Sequence, residues 1–226
     1  MSSSALEGLD TALTEIVDLQ RVNPTPTGAA LSAPLITRAI GRASVVLLSS
    51  HFERYIYAVN AEAAEAVSLS GATGDALPEG LRLAHSRHPI DELALTIWDR
   101  RGDALNKFVR EESWLWVPGQ GGHLEHKRLL TWMKAPFPKN LKRYYKEWGI
   151  EDIFSAITRR IHTRIDLELR ISELVGKRNG IAHGDFSVDA TQSDIRLYRA
   201  AVQVFAERAD RALSRQLATL TGSVPW

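Results

Sequence analysis

The sequence predicts an all-α, bundle-like domain, and three observations point to that fold class. Apolar residues recur at helical spacing over several long stretches. The strict alternation of apolar and polar residues that is typical of β-strands is nearly absent. Segments that contain proline and glycine separate the helical stretches, as connections between helices do.

Length, composition and charge narrow the classes of protein. The 226 residues are enough to bury a substantial core, and the absence of cysteine excludes disulfides, thiolate metal sites and cysteine nucleophiles. The formal net charge is +1, so any affinity for nucleic acid has to come from a local basic patch. The N-terminus MSSSALEGLD lacks the features of a signal peptide, and no apolar run is long enough to span a bilayer. We therefore expect a cytoplasmic protein without a membrane segment.

The N-terminal part of the chain predicts a short helix followed by a linker. Ser4 and Glu7 have the spacing of a capping box, and the apolar pattern that follows stops at the Asn-Pro pair beginning at Asn23. The stretch PTPTGAALSAP that comes next is typical of a linker. Residues 1–28 are therefore predicted to be an N-terminal helix and linker, and residues 29–222 the main domain.

The main domain is predicted to consist of helices of unequal length around one irregular segment. The segment ESWLWVPGQGGHLEHK is predicted to be irregular, because its Pro and Gly-Gly interrupt any regular element. The predicted helices run from about Pro34 to the turn-forming SGATGDALPEG, from Pro89 to Phe108, through the basic KAPFPKNLKRYYKEWG, from Ile150 to Val175, and from Ser193 to Leu220.

The segment KRNGIAHGDFS, which starts at Lys177, has two interpretations. In the first it is an ordinary helix end, where cations oppose the helix dipole and Asn179-Gly180 takes the left-handed conformation that stops a helix. In the second it is half of an active site. Spacing alone does not decide, because Arg82 and His88 repeat a similar spacing elsewhere in the chain.

The residues around the motif resemble those of a known family. LVGKRNGIAHGDF, from Leu174, resembles the signature of the HEPN superfamily of small helical ribonucleases, and its Leu-Val, Arg-Asn and Ala-His-Gly elements are most similar to the RiboL-PSP-HEPN group. The motif also lies between a penultimate and a final long helix. The Arg82 to His88 segment lacks this context and is predicted to be a loop. The resemblance implies a HEPN-like helical bundle with long antiparallel helices, into which the basic segment is inserted.

The resemblance also implies a set of site residues. Arg178, Asn179 and His183 match the motif, and RASVVLLSSHFERYIYA resembles an early helix of the family that often carries an acidic residue pointing toward the site, here Glu53. HEPN proteins commonly dimerise so that two motifs face one cleft, which implies a homodimer with a shared active site. RNA is then the expected substrate, with no metal or other cofactor.

The resemblance implies a biological role as well, that of a toxin or an antiviral-defence effector neutralised by an antitoxin protein. Two alternatives stay open. One is a catalytically inactive helical module that binds nucleotide, RNA or a partner protein. The other is a DNA-binding regulator, for which the sequence offers no recognisable helix-turn-helix.

These residue types suit cleavage of RNA by attack of the 2′-hydroxyl without a metal ion. An unperturbed histidine has a pKa of about 6.5, which is appropriate for proton transfer near neutral pH. Arginine stays protonated and donates paired hydrogen bonds to phosphate, and asparagine can hold either partner in place. On a continuing helix Arg178 and His183 diverge by about 140°. Either the helix ends near Gly180 or the two side chains act from different chains, and we expect 2′,3′-cyclic phosphate and 5′-hydroxyl products.

A second candidate for RNA contact is the basic segment, residues 127–148. Seven Lys or Arg residues lie between Lys127 and Lys146 with no acidic residue among them, and aromatic residues are interleaved. Cations and exposed rings together favour single-stranded RNA. The alternative is a solvated helix whose aromatic residues face the core. The residues predicted to bind RNA are Lys139, Lys142, Arg143, Lys146 and Tyr144.

Glu53 and His51 also have structural interpretations. Glu53 either orients a catalytic group or is a surface carboxylate beside Arg54. His51 shares a helical row with Leu47 and Tyr55, so we predict that it packs in the core.

Two further polar features of the sequence allow more than one interpretation. His123 and His126 have a spacing that metal ligands use, but no third convincing ligand follows, so no metal site is predicted. Asp185 either accepts a hydrogen bond from His183 or caps the loop that follows the motif.

Overall fold

A computed structural model describes residues 1–22 and 33–226. Within these ranges the chain forms nine α-helices and no β-strand, which confirms the all-α prediction. Most of the predicted linker, including the boundary at residue 28, lies outside the described residues. Among the helices described, none combines enough length with enough apolar character to cross a bilayer. The helices are α1 (Ser4–Arg21), α2 (Ala33–Ser70), α3 (Glu79–Leu95), α4 (Arg101–Glu112), α5 (His126–Leu129), α6 (Pro138–Glu147), α7 (Ile153–Ile157), α8 (Ile161–Ala182) and α9 (Gln192–Thr221).

The core lies where α2, α8 and α9 pack against one another. Phe52 of α2 and Phe205 of α9 are completely buried and meet edge to face, with ring centroids 5.7 Å apart. Ile171 and Leu174 of α8 are also completely buried. Burial of each such side chain contributes roughly 1.5–3 kcal/mol. The buried residues of α8 therefore hold that helix, and with it the motif, against α2.

α1 docks on the bundle against α2 and α9. Its N-cap is Ser3 and not Ser4 as predicted, because Ser3 Oγ accepts the Leu6 N–H and donates to the buried carboxylate of Asp210 in α9. The buried anchor in α9 therefore decides which serine begins the helix. The buried apolar side chains of α1 are Ala5, Leu6, Leu9, Leu13 and Ile16.

The segment after α2 differs from the prediction. α2 ends at Ser70 as expected, but the single helix predicted from Pro89 to Phe108 is wrong, because α3 already begins at Glu79 and α4 begins only at Arg101. Pro89 lies inside α3 and does not start a helix.

Tertiary contacts explain why α3 begins early. Leu81 and His85 in its first turns are buried. His85 Nε2 accepts the Glu125 N–H at 3.0 Å, which leaves Nδ1 to donate to Glu112 at 3.0 Å. The segment from Arg82 is therefore helical, and the prediction of a loop there is wrong.

The helices that frame the motif are confirmed at the C-terminal side and corrected at the N-terminal side. α9 begins with a capping box between Thr191 and Asp194 and ends at Thr221, with Gly222 as its C-cap, close to the predicted bounds. The helix predicted from Ile150 to Val175 is two helices, α7 and α8, because Arg208 of α9 bonds the Ile157 carbonyl and the Thr158 hydroxyl at the break. The short basic helix is confirmed as α6.

Candidate functional site

The last turn of α8 carries the motif residues. His183 is the C-cap, and its backbone N–H donates to the Asn179 carbonyl at 3.0 Å. Gly184 then takes the left-handed conformation with φ of 81°, so the helix does not end at Asn179-Gly180, which was the first of the two interpretations of this segment. Gly180 is helical, and a Cβ there would lie 2.9 Å from Val188 Cγ2. We call residues 178–191 the motif end.

Arg178 lies on the side of α8 that faces α2. Its Nη2 is 3.7 Å from Glu53 Oε2, and its Nη1 donates to Asn179 Oδ1 at 3.2 Å. The Arg178 and Glu53 side chains are 30% and 27% exposed, so the guanidinium is held by the carboxylate and is still accessible. A partly exposed ion pair at this distance contributes little to stability. Burial, and then the charge of Glu53, raise the pKa of Tyr57 one turn along α2.

His183 is exposed and leaves α8 in a different direction from Arg178. At 100° per residue, the two positions are about 140° apart around the helix, while Asn179 and His183 are about 40° apart. Within one chain, therefore, Asn179 and His183 share a face and Arg178 points away from it toward Glu53.

The face of α8 that carries His183 also carries an apolar stripe. Ile161, Ile165 and Leu169 follow one another at intervals of four residues and are 54%, 57% and 48% exposed. Gly176 continues the stripe toward Asn179, with no atom within 4 Å of the place a Cβ would take. Neighbours in the described part of the chain leave this face uncovered.

The loop of the motif end is fastened to α2. Arg42 Nη1 donates to the carbonyl oxygens of Asp185 and Val188 at 2.7 and 2.8 Å. Gly41 allows the loop to come close, since a Cβ there would lie 2.4 Å from the Ala190 carbonyl oxygen. The loop therefore has a defined position relative to the site.

Charged pairs secure the far end of the same loop. Arg38 Nε lies 2.9 Å from Asp189 Oδ1, and Lys177 Nζ donates to the Asp189 carbonyl at 2.6 Å. Lys177 is also 3.4 Å from Asp194 in the first turn of α9. These contacts join α2, α8 and α9 around the motif end.

Asp185 caps the loop. Its carboxylate accepts hydrogen bonds from Ser187 Oγ at 2.6 Å and Ser187 N at 2.8 Å, and these bonds hold the pKa of Asp185 below its usual range. The second of the two interpretations of Asp185, that it caps the loop, is therefore the one observed.

The aromatic residues of the basic segment build the core. Tyr144, Tyr145 and Trp148 are completely buried, and the Tyr145 ring lies 6.1 Å from that of Phe205 in α9. A stacking role for Tyr144 is therefore wrong, because its ring has no surface for a base to contact. Their spacing is that of residues on the face of α6 that packs against the core.

Most cations predicted to bind RNA already have carboxylate partners. The pairs are Lys142 with Glu168 at 2.8 Å, Arg143 with Glu147 at 3.0 Å, and Lys146 with Glu151 at 2.8 Å. Arg143 also stacks on Trp132, with its Cζ 3.9 Å from the ring centroid. Lys139 is exposed and has no ion-pair partner among the described residues. With Leu169 and Ser172 it lines a shallow groove of about 480 Å³ beside the apolar stripe of α8.

The other histidines considered in the sequence analysis, His51, His123 and His126, lie outside the candidate site. His51 is not packed in the core as predicted; its Nε2 lies 2.9 Å from Glu15 of α1, at the edge of the α1–α2 contact. His126 lies 3.7 Å from its neighbour Glu125. No cluster of three His, Asp or Glu side chains suited to a metal ion occurs in the described ranges, which include His123.

Sequence reasoning missed two residues that shape the motif end, Arg42 on α2 and Phe186 in the loop. Arg42, which fastens the loop, belongs to no motif, and its only signal is a position one turn from Arg38 on α2. Phe186 is 79% exposed, and the Arg42 guanidinium lies 5.7 Å from its ring centroid. The signal available in the sequence was an aromatic residue three positions after His183, among glycine and polar residues.

A family comparison covers this part of the chain. Residues 133–215 match the family model for RiboL-PSP-HEPN, and the matched range includes α6, α7, the whole of α8 with the motif, and most of α9. No match was found among curated proteins or among solved structures. The matched range includes Arg178, Asn179 and His183, so residues 133–215 are similar to RiboL-PSP-HEPN, a HEPN-type family.

Proposed function

We propose that the protein is a metal-independent endoribonuclease that cleaves RNA by attack of a 2′-hydroxyl on the adjacent phosphorus. The observation that carries this proposal is the solvent-exposed His183, five residues after an arginine that Glu53 holds in place. The family match supports RNA as the substrate class, since HEPN-type domains are often ribonucleases.

Each motif residue has a role that its position supports. His183 exchanges protons with the attacking 2′-hydroxyl or the departing 5′-oxygen, because its ring is accessible to substrate. Arg178 stabilises negative charge on the phosphoryl oxygens, with Glu53 as a positioning residue behind it. Asn179 holds Arg178 through its side-chain oxygen and leaves its amide nitrogen to donate to phosphate.

We propose that the active site is shared between two copies of the chain. The support is the direction of the side chains, because Arg178 and His183 leave α8 about 140° apart. The exposed stripe of Ile161, Ile165 and Leu169 lies on the His183 face. Packing this face against the same face of a second copy covers the stripe and brings the two His183 side chains to one interface. The pairing of His183 of one protomer with Arg178 of the other is proposed from the family resemblance.

RNA approaches the proposed site past Lys139, at the edge of the groove beside α8 that the second copy leaves open. Lys139 is the cation that contacts RNA phosphate there, because Lys142, Arg143 and Lys146 are paired with carboxylates. These three residues contribute to RNA binding only where RNA phosphate displaces their partners.

The proposed biological role is that of a cytoplasmic toxin or antiviral-defence effector, neutralised by an antitoxin protein. Its support is the family resemblance. Expression of the wild-type protein in a bacterial host is expected to arrest growth, and expression of His183→Ala is not. Growth arrest by both proteins at equal expression contradicts a role based on this site.

The proposed activity is tested by three purified proteins: the wild type, His183→Ala and His88→Ala. His88→Ala is a matched control, because Arg82 and His88 repeat the arginine–histidine spacing and His88 is 59% exposed. The wild type is expected to cleave single-stranded RNA in the presence of a chelator and to leave 2′,3′-cyclic phosphate and 5′-hydroxyl ends. His183→Ala is expected to lose about 10²–10⁴-fold in rate, the usual contribution of general acid–base catalysis, and His88→Ala to keep its rate.

Two results count against the nuclease. Equal rates for the wild type and His183→Ala mean that the activity belongs elsewhere. A wild-type protein that binds RNA without cleaving it supports instead a catalytically inactive RNA-binding module.

A further inference from the structure

Phe186 is an aromatic residue that the fold presents to solvent. Its side chain is 79% exposed, and it follows His183 by three residues. Three residues span at most about 10 Å, so the ring is within reach of a nucleotide bound at His183.

The ring is presented on a fastened support. Arg42 bonds the carbonyls on both sides of Phe186, at Asp185 and Val188, and its guanidinium lies 5.7 Å from the ring centroid. Ser187, the next residue, donates two hydrogen bonds to Asp185. Phe186 is therefore exposed from a loop with a defined conformation, and one side of the ring is backed by a cation.

The surroundings of Phe186 favour a planar ligand over a protein surface. The other exposed residues of this loop are polar or have no side chain: His183, Gly184, Asp185, Ser187, Asp189 and Thr191. Protein interfaces concentrate aromatic residues at a well-packed centre, where neighbouring contacts exclude water. A single ring in polar surroundings, beside Arg42, matches the stacking platforms that hold unpaired bases.

We infer that Phe186 stacks on the base of a nucleotide next to the scissile phosphate and so positions RNA at His183. The inference rests on the proposed function and adds a residue that selects single-stranded RNA, since a base within a duplex has no free face to offer.

Binding measurements test this inference without cleavage. All variants are made in the His183→Ala background so that the RNA stays intact, and affinity for a short single-stranded RNA is measured by fluorescence anisotropy. Phe186→Ala is expected to weaken binding on the order of tenfold, the usual effect of losing one stacked base, whereas Phe186→Trp keeps the affinity within about twofold. Leu95→Ala is the matched control, because Leu95 is an apolar side chain of α3 that is 86% exposed.

A cycle with modified RNA tests the stacking itself. Abasic residues replace the bases of the RNA one position at a time. At one position the losses from the abasic residue and from Phe186→Ala should not add, because each removes the same contact. Additive losses at every position overturn the inference.

Other outcomes separate this inference from its rivals. Unchanged affinity in Phe186→Ala overturns it, and so does conversion of a dimer to a monomer by Phe186→Ala in light scattering, which makes Phe186 a subunit contact. If the wild type does not cleave RNA, the nuclease proposal is contradicted but the stacking inference is not, because the binding measurement does not depend on turnover. In a cleaving protein, Phe186→Ala should raise KM about tenfold with kcat little changed and the melting temperature unaltered.

Discussion

The basic segment buries its tyrosines and Trp148 and pairs three of its cations with carboxylates, whereas the motif end leaves His183 and Phe186 in solvent. Both regions contain the residue types that RNA binding uses. Only the motif end presents them on a fixed support with their reactive or stacking surfaces free.

The partners of the cations explain the difference. Glu147 and Glu151 follow Arg143 and Lys146 closely in sequence, and Glu168 reaches Lys142 from α8. A count of cations between two acidic residues therefore overestimates the charge available to a ligand. The side-chain direction set by α6 and α8 decides which residues face RNA.

The largest expected effect concerns the aromatic residues of the two regions. Tyr144→Ala should lower the free energy of unfolding by about 3–5 kcal/mol, as truncation of a buried aromatic side chain does, and Phe186→Ala by less than about 0.5 kcal/mol. Chemical denaturation measures both values. Similar values for the two variants would mean that the basic segment is not part of the core.

The next effect concerns the charge at the motif end. Arg178→Ala should lower kcat/KM for RNA about 10²–10³-fold, as loss of one transition-state donor does. Glu53→Gln should lower it less, roughly tenfold, because Arg178 keeps its charge and loses only the partner that orients it. A larger effect for Glu53→Gln than for Arg178→Ala contradicts a positioning role for Glu53.

A smaller effect concerns the start of α9. Burial works to raise the pKa of Asp194, but hydrogen bonds from Thr191 and the charge of Lys177 outweigh it and lower that pKa. A lowered pKa in the folded state stabilises the protein above the ordinary aspartate pKa of about 3.9, and this contribution is lost as pH falls through the folded value. Asp194→Asn should therefore cost about 0.5 kcal/mol at pH 7 and progressively less below pH 4. A cost that is constant from pH 7 to pH 2 contradicts this assignment.

The smallest effect separates cations within the basic segment. The salt dependence of RNA binding falls by about 0.7 in log–log slope for each phosphate contact removed from a single strand. Lys139→Ala should produce this change, and Arg143→Ala should leave the slope unaltered because Arg143 is held by Glu147 and Trp132. Anisotropy titrations at several salt concentrations distinguish the two. Equal slopes for both variants would contradict the conclusion that Lys139 contacts RNA phosphate and Arg143 does not.

Periodicity and helix caps predicted α2, α6 and α9 because those signals are local. They did not predict the start of α3, where buried Leu81 and His85 override the proline at position 89. They also did not predict the break before α8, which depends on hydrogen bonds from Arg208 in another helix. Contacts between distant segments leave no local pattern.

The same distinction between local patterns and distant contacts applies to the candidate site. The motif resemblance identified Arg178, Asn179, His183 and Glu53, and the structure brings Arg178 to Glu53 and Asn179. Arg42 was not predicted, because its contacts reach the motif end from a helix more than a hundred residues earlier. The burial of Tyr144 was one of two alternatives that its spacing allowed.

The most direct test of the shared site mixes two inactive proteins. Arg178→Ala and His183→Ala are each expected to be inactive, but after subunit exchange half of the dimers combine one of each, and one of their two sites is intact. The mixture should recover roughly a quarter of the wild-type rate of RNA cleavage. No recovery, in a mixture where exchange between labelled subunits is demonstrated, would contradict a site built from His183 of one protomer and Arg178 of the other.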